Sequence, residues 1–203
     1  MLNRSVMAMK LLGTTTSPYT RKVRILLKAL GQAHDFVDTR TDAGAAALAE
    51  SSPLGKVPVL IADGPGALPD SSLITQYLWA TREGELRAAG FNLDPNDWAD
   101  RRLQEVVEGA LDAAINFRYL RLDGFSEAGY IAKQRARVDR TLGWLDGRIA
   151  FTRPLGLAAL SLGCAVDWIA FRNVVDLAHW PALAAFRDAW LSAGVGAGSE
   201  PHE

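Results

Sequence analysis

With 203 residues, 49% of them hydrophobic and 22% charged, the chain can bury a sizeable core as one large or two small domains. The formal net charge of -1, with basic residues scattered along the chain, excludes a broad field for nucleic acid or an anionic membrane surface. A single cysteine, Cys164, excludes an intrachain disulfide and any Cys-x-x-Cys redox pair and fits a reducing compartment. The longest apolar stretch, 155–170, is interrupted by Ser161, Gly163 and Asp167 and falls short of the ~18 uninterrupted residues of a membrane span. Residues 1–8 lack an apolar h-region and read as no signal peptide, so ordered structure is expected to begin at Met9 and the protein to be cytoplasmic.

The first third alternates between strand and helix patterns. Residues 10–13 read as a short strand, 18–30 as a helix, 35–38 as a strand, 42–49 as a helix, 57–62 as a strand and 71–80 as a helix. Strands alternating with helices imply a parallel β-α-β unit. The turn Asp63-Gly64-Pro65-Gly66, followed by Ala67-Leu68-Pro69, adds a hairpin and a fourth edge strand. A boundary is expected within 83–97, where Gly84, Gly90, Asn92 and Pro95 cluster.

Beyond it the period becomes helical throughout. In 98–119, Leu103, Val106, Val107, Ala110, Leu111, Ala114 and Ile115 form a core-facing stripe, and 130–149 repeats the pattern. Residues 155–172 are apolar nearly all round and should form the most buried helix, with Cys164 a small core residue. Pro181 opens a last helix through Leu191, and the Gly/Ser-rich tail from Gly194 is expected to be loose.

Three stretches carry chemistry. In Gly55-Lys56-Val57-Pro58-Val59-Leu60-Ile61 a proline stands where an apolar β-branched run begins. Proline donates no hydrogen bond, and an X-Pro bond in a tight turn can be cis, leaving the N–H and C=O of Val57 to pair outside the sheet with a peptide-like ligand. Pro69-Asp70-Ser71-Ser72 then opens a helix, gathering a carboxylate, a hydroxyl and unpaired N–H groups at its start. Ser17-Pro18 places an N-cap residue before a proline at the first helical position of 18–30. Capping alone accounts for Ser17, yet a helix N-terminus also lowers the pKa of a nearby thiol, and a hydroxyl there can hydrogen-bond a ligand thiolate.

Taken together, the β-α-β-α-β-β-α module with Ser17-Pro18-Tyr19, Gly55-Lys56-Val57-Pro58-Val59-Leu60 and Asp70-Ser71-Ser72-Leu73-Ile74 resembles the glutathione S-transferases, most of all bacterial members with a serine-type start. The resemblance runs from Met9 to about Leu191. It implies an α/β plus all-α chain: a thioredoxin-like glutathione-binding domain over 9–83, an all-helical domain over 96–192, and flexible ends at 1–8 and 194–203. Matched residue by residue, Ser17 takes the place of the catalytic serine or cysteine that donates to the glutathione sulfur. Val57 pairs through its backbone with the cysteinyl unit, and Pro58 is the family's cis-proline. Asp70 and Ser71 hold the γ-glutamyl ammonium and carboxylate, and Lys56 by adjacency meets the glycyl carboxylate or is simply a solvated lysine.

The implied activity is a glutathione S-transferase, with glutathione as co-substrate and a small hydrophobic electrophile or peroxide as its target. A homodimer is implied as well. A non-catalytic glutathione-binding carrier of the same fold is the alternative. Tyr19 is a second hydroxyl near Ser17, though aromatic packing suits it better. Asp112, Asn116 and Tyr119 share a helical stripe and are candidates for the electrophile pocket. His34, His179 and His202 lack ligand spacing, so no metal site is read. One departure stands out: where the family's central helix begins with a Ser/Thr-x-x-Asp capping box, this chain has Gly156 and Ala159. That absence is expected to cost about 1 kcal/mol of helix stability.

Overall fold

A computed structural model describes residues 9–125 and 129–203. The expected flexible end at 1–8 lies outside the described residues. The chain divides into two compact units, one running to Leu93 and joined by Gly196–Glu203, the other Asp94–Val195.

The first unit follows the alternating pattern. Its elements are β1 (Lys10–Gly13), α1 (Pro18–Ala29), β2 (Asp35–Asp38), α2 (Asp42–Ser51), β3 (Val59–Ala62), β4 (Gly66–Pro69) and α3 (Ser71–Ala88). The sheet order is β2-β1-β3-β4, with β1 parallel to β2 and β3 antiparallel to both β1 and β4. This is a thioredoxin-like arrangement, a right-sized β-α-β unit completed by a hairpin. Leu11, Leu12, Val59 and Leu60 from the central strands, Val23, Leu26 and Leu27 from α1, and Ile74 and Leu78 from α3 make its core.

Three boundaries differ from the sequence reading. Ladder pairing in β3 starts at Val59, opposite Leu12 and Pro69, so Val57 and Pro58 precede the strand; proline has no N–H to give a ladder. Helix α3 runs on past Ala80 to Ala88, through one non-helical residue, Arg82 (φ -137°, ψ 30°). Arg82 forks onto Glu85, and Arg87 Nε meets Glu83 Oε1 at 2.8 Å, pairs that support helix on both sides of Gly84. The tail, expected to be loose, lies along α1. Lys28 Nζ donates to the Ala197 carbonyl (2.6 Å), Arg24 Nη2 to that of Gly198 (3.2 Å), and Thr15 Oγ1 to that of His202 (2.8 Å). A glycine-rich tail has few side chains to advertise this docking; its main-chain carbonyls do the work, met by cations spaced one helical turn apart on α1.

The second unit contains α4 (Trp98–Leu122), α5 (Tyr130–Leu145), α6 (Leu157–Phe171) and α7 (Pro181–Ser192), with a 3-10 turn at Leu177–His179 that the sequence did not signal. As its composition implies, α6 is buried at every residue from Leu157 to Ile169, Cys164 included. It packs against α4 and α7, and α4 also packs against α5. Helix α5 stops short of 149, because Asp146 turns out of the helix and its Oδ1 accepts the Leu183 N–H (3.0 Å) in the first turn of α7. Among the described residues no helix is long and apolar enough to cross a membrane.

The missing capping box has a substitute. Asp100, in the first turn of α4, accepts from Leu157 N at 2.6 Å and Ala158 N at 3.2 Å, supplying α6 with a cap from another helix. Gly156 makes this possible: a Cβ there would stand 2.6 Å from Asp100 Oδ2. The cap does not depend on a local hydroxyl, which corrects the expected loss at Gly156 and Ala159. Asp100→Ala strands two N–H groups at a buried helix start and should lower stability by about 1–2 kcal/mol in urea unfolding.

The same carboxylate gives a pH dependence. Burial, outweighing the two N–H donors and reinforced by Asp97, holds the Asp100 carboxyl above its ordinary value of 3.8. The folded protein therefore binds this proton more tightly than the unfolded chain. The resulting stabilisation is full below the unfolded value and is lost as pH rises through the raised folded one. Asp100→Asn keeps an acceptor oxygen and no longer titrates. It should flatten that part of the stability curve when urea midpoints of the two proteins are followed across the carboxylate range.

Candidate functional site

Strand register brings the three motifs to one end of the sheet. Leu12 lies opposite Val59, and Val59 opposite Pro69, so the end of β1, the start of β3 and the end of β4 coincide. The loop from Thr14 to Ser17, the Val57–Pro58 peptide and Asp70–Ser71 leave the sheet there. Gly13 seats α1 on this end: a Cβ on it would meet Thr20 Cγ2 at 2.4 Å, so the first turn of α1 rests directly on the strand. The Asp70 N–H donates to the Pro58 carbonyl (3.2 Å), fastening the start of α3 to the segment before β3.

Of the hydroxyls at this end, three are engaged with one another or with neighbours. Thr15 Oγ1 donates to the His202 carbonyl and receives Arg40 Nη2 at 3.1 Å, while Thr14 Oγ1 and Thr16 Oγ1 lie 3.3 Å apart. Ser17 Oγ accepts the Thr20 N–H at 3.2 Å as the N-cap of α1. A hydroxyl that accepts one bond keeps its own proton to donate, and the Ser17 proton has no acceptor among the described residues. Arg40 is itself forked onto Asp38 at the end of β2, and this hydrogen-bonded guanidinium holds the Asp38 carboxyl below its ordinary value.

The Val57–Pro58 peptide is cis. Neither the N–H nor the C=O of Val57 pairs with a described residue, and Lys56 beside it is exposed. Asp70 adopts φ 75° and ψ 132°, a conformation that costs a non-glycine residue roughly 1–3 kcal/mol and clusters at functional sites. Its Oδ1 caps α3 by accepting from Ser72 N (2.7 Å) and Leu73 N (3.4 Å), and the residue is exposed. Ser71 is buried, and its hydroxyl makes no hydrogen bond to a described residue.

Ser17, Val57, Pro58, Asp70 and Ser71 are thus assembled at one place, with Lys56 at its margin and Tyr19 in the first turn of α1. Asp112, Asn116 and Tyr119 belong to the helical unit and are exposed on α4. The run Thr14, Thr15 and Thr16 reads in the sequence as further hydroxyls near Ser17, but sequence reasoning did not find Arg40 or the tail carbonyl of His202 beside the first loop. A lone arginine carries no spacing that would have marked it. Among the described residues no group of three or more His, Cys, Asp or Glu is placed to hold a metal ion.

Residues 11–86 match the family model described as the glutathione S-transferase N-terminal domain. The uncharacterized GST-like protein YibF of Escherichia coli strain K12 is 30% identical over 176 residues, which cover 82% of this chain and 84% of that protein. The chain belongs to the glutathione S-transferase family. Solved glutathione S-transferases share its fold. A glutathione S-transferase from Methylobacillus flagellatus with GSH bound is 28% identical, with a TM-score of 0.80 over 96% of this chain and 100% of that one. One from Methylobacterium radiotolerans, in complex with glutathione sulfonate, is 26% identical, with a TM-score of 0.78 over 97% and 96% of the two chains.

Proposed function

We propose that this glutathione S-transferase family member is a catalyst that binds glutathione at the sheet end described above and activates its thiol for attack on a small electrophile or peroxide. The observation that carries the reading is the juxtaposition of an unpaired Val57 peptide edge, a strained Asp70 beside the Ser71 hydroxyl, and the Ser17 hydroxyl at a helix N-terminus. An edge peptide with free N–H and C=O suits the cysteinyl unit of a tripeptide, pairing as an added strand does. Asp70 supplies a carboxylate for the γ-glutamyl ammonium, and the Ser71 hydroxyl with the α3 N-terminus suits its carboxylate. Lys56 takes the glycyl carboxylate, and Pro58 fixes the approach of Val57. The GSH and glutathione sulfonate held by the two solved relatives support the choice of ligand.

The chemistry asked of the protein is modest. A thiol with a pKa near 8.5 is a few per cent thiolate at neutral pH, and lowering it by about two units corresponds to about 2.7 kcal/mol. The Ser17 proton donates to the sulfur, and the positive end of the α1 dipole favours the anion. The thiolate then forms the new bond to carbon while the leaving group departs with its electron pair. Ser17 forms no covalent intermediate. A cytoplasmic homodimer engaged in detoxification, with Asp112, Asn116, Tyr119 and Tyr19 shaping the electrophile site, completes the reading.

Calorimetric titration with glutathione tests the ligand assignment. Asp70→Asn keeps the oxygen that caps α3 and loses the charge, so it should weaken glutathione binding about tenfold with little change in melting temperature. Equal affinity in the two proteins would remove Asp70 from the site.

A further inference from the structure

Ser17 follows β1 on a tight turn, closed by its own N–H donating to the Thr14 carbonyl at 3.3 Å, with Thr15 and Thr16 at the tip. The Thr14 and Thr16 hydroxyls lie 3.3 Å apart and bond to no other described residue. Thr15 is the threonine whose side chain leaves the turn. Its Oγ1 donates to the His202 carbonyl at 2.8 Å and accepts from Arg40 Nη2 at 3.1 Å. A hydroxyl carries one proton, and Thr15 has given its own to the tail, so none is left for a ligand.

Both groups that meet at Thr15 are fastened elsewhere. Arg40 Nη2 lies 2.6 Å from Asp38 Oδ2, and its Nε 3.0 Å from Oδ1, which ties it to the end of β2. On the tail, Ser199 is buried; its Oγ donates to the Gly196 carbonyl at 2.7 Å and accepts from Arg21 Nε at 3.4 Å. Gly196 lies so close to α1 that a Cβ on it would stand 2.6 Å from Arg21 Nη2. With Lys28 on the Ala197 carbonyl and Arg24 on that of Gly198, the tail is held along α1 before it reaches Thr15. A turn tip without such ties keeps its backbone freedom, and a misplacement of about 1 Å at a reacting group can cost about a hundredfold in rate. We propose that Thr15 is a positioning residue: held between the His202 carbonyl and the Arg40–Asp38 pair, it sets the turn that carries Ser17 and so aims the Ser17 hydroxyl at the glutathione sulfur. This rests on the glutathione reading given above. It makes the tail a working part of the site, although among the described residues none of the tail bonds to Val57, Asp70 or Ser71.

The pKa of the bound glutathione thiol, read by thiolate ultraviolet absorbance, tests it in the natural protein, Thr15→Val, Thr15→Ser, Arg40→Met and Thr15→Val/Arg40→Met, with Ser17→Ala as reference. Thr15→Val should raise the bound thiol by about half a unit to one unit, a fall of about three- to tenfold in the thiolate-to-thiol ratio. Glutathione affinity at acid pH, where the thiol is protonated, should stay within about twofold, because only the charged form feels the change. Thr15→Ser keeps the hydroxyl and should restore the natural value. Arg40→Met, a change at an exposed residue, should move the thiol the same way, and the double variant no further than Thr15→Val, because Arg40 acts through Thr15. It also carries the test should Thr15→Val melt early. An unshifted thiol in either single variant, a shift in Thr15→Ser as large as in Thr15→Val, or additive shifts in the double variant would overturn the proposal; a raised thiol in Ser17→Ala would then leave the glutathione reading in place. A bound thiol that titrates like free glutathione in the natural protein, or alike in the natural protein and Ser17→Ala, would overturn that reading and this proposal with it.

Discussion

Gly163→Ala is expected to destabilise the protein by about 1–3 kcal/mol, opposite in sign to the usual effect of that change in a helix. In a helix interior alanine is favoured over glycine by about 1 kcal/mol, so propensity alone predicts a gain. Here a Cβ would stand 2.3 Å from Trp190 Cε3 and 2.4 Å from Cδ2. The Trp190 ring has little room to withdraw. It is 1% exposed, and Phe151 stands edge-on to it at 6.4 Å while also meeting Phe186 edge-on at 5.7 Å. Packing therefore overrules propensity, and α6 needs glycine at this point to approach α7. Urea unfolding of Gly163→Ala, Trp190→Leu and the double variant checks the cause. Trp190→Leu alone opens a cavity and should cost several kcal/mol. If the clash is the mechanism, the double variant loses less than the sum of the two single losses. Simple additivity would show that residue 163 acts through something other than Trp190.

Ser17→Ala should lower turnover by about one to two orders of magnitude while changing glutathione affinity far less. The ground for this asymmetry is that the proposed function assigns binding and thiolate stabilisation to different residues: Val57, Asp70 and Ser71 would hold the tripeptide, and Ser17 would act on the sulfur. A stabilisation of about 2.7 kcal/mol, if supplied mostly by one hydroxyl, corresponds to the upper end of that range. The helix N-terminus remains in the variant and retains part of the effect. Removing the α1 cap also costs about 1 kcal/mol, so rates should be compared well below the melting transition. Steady-state kinetics against a panel of aryl halides, enoates and hydroperoxides, alongside calorimetry, reads both quantities. Unchanged turnover would take Ser17 out of the mechanism, and absence of turnover in the natural protein across such a panel would favour the carrier function.

Much of this was legible in the chain because local and global signals agree. Lys10–Gly13 and Asp35–Asp38 lie where alternation and turn residues put them, and the buried stripe of α1 follows its Ser17-Pro18 start. Pro58 marked the beginning of β3, although pairing starts one residue later, at Val59, the first beyond the proline with an N–H able to join the ladder. Where the reading fell short, a long-range contact replaced a local one. Gly156 has no capping side chain of its own, and the group that caps α6 is Asp100, 57 residues away in sequence. Nothing in a Gly/Ser-rich tail tells that its carbonyls meet Thr15, Arg24 and Lys28. Gly84 reads as a breaker, yet flanking ion pairs carry α3 past it to Ala88. For the site, residue types and spacing indicated Ser17, Val57, Asp70 and Ser71. Among the four neighbouring hydroxyls the hydrogen bonds were not legible in the chain: Thr15 donates to the tail carbonyl of His202, and of Thr14 and Thr16 one donates to the other.

The most direct test of thiol activation is the pKa of the glutathione thiol when bound, followed by thiolate ultraviolet absorbance as pH is raised, in the natural protein and in Ser17→Ala. The account predicts a bound thiol titrating about two units below the free value near 8.5, moving back toward it when the hydroxyl is removed. A bound thiol that titrates like free glutathione in both proteins would contradict it.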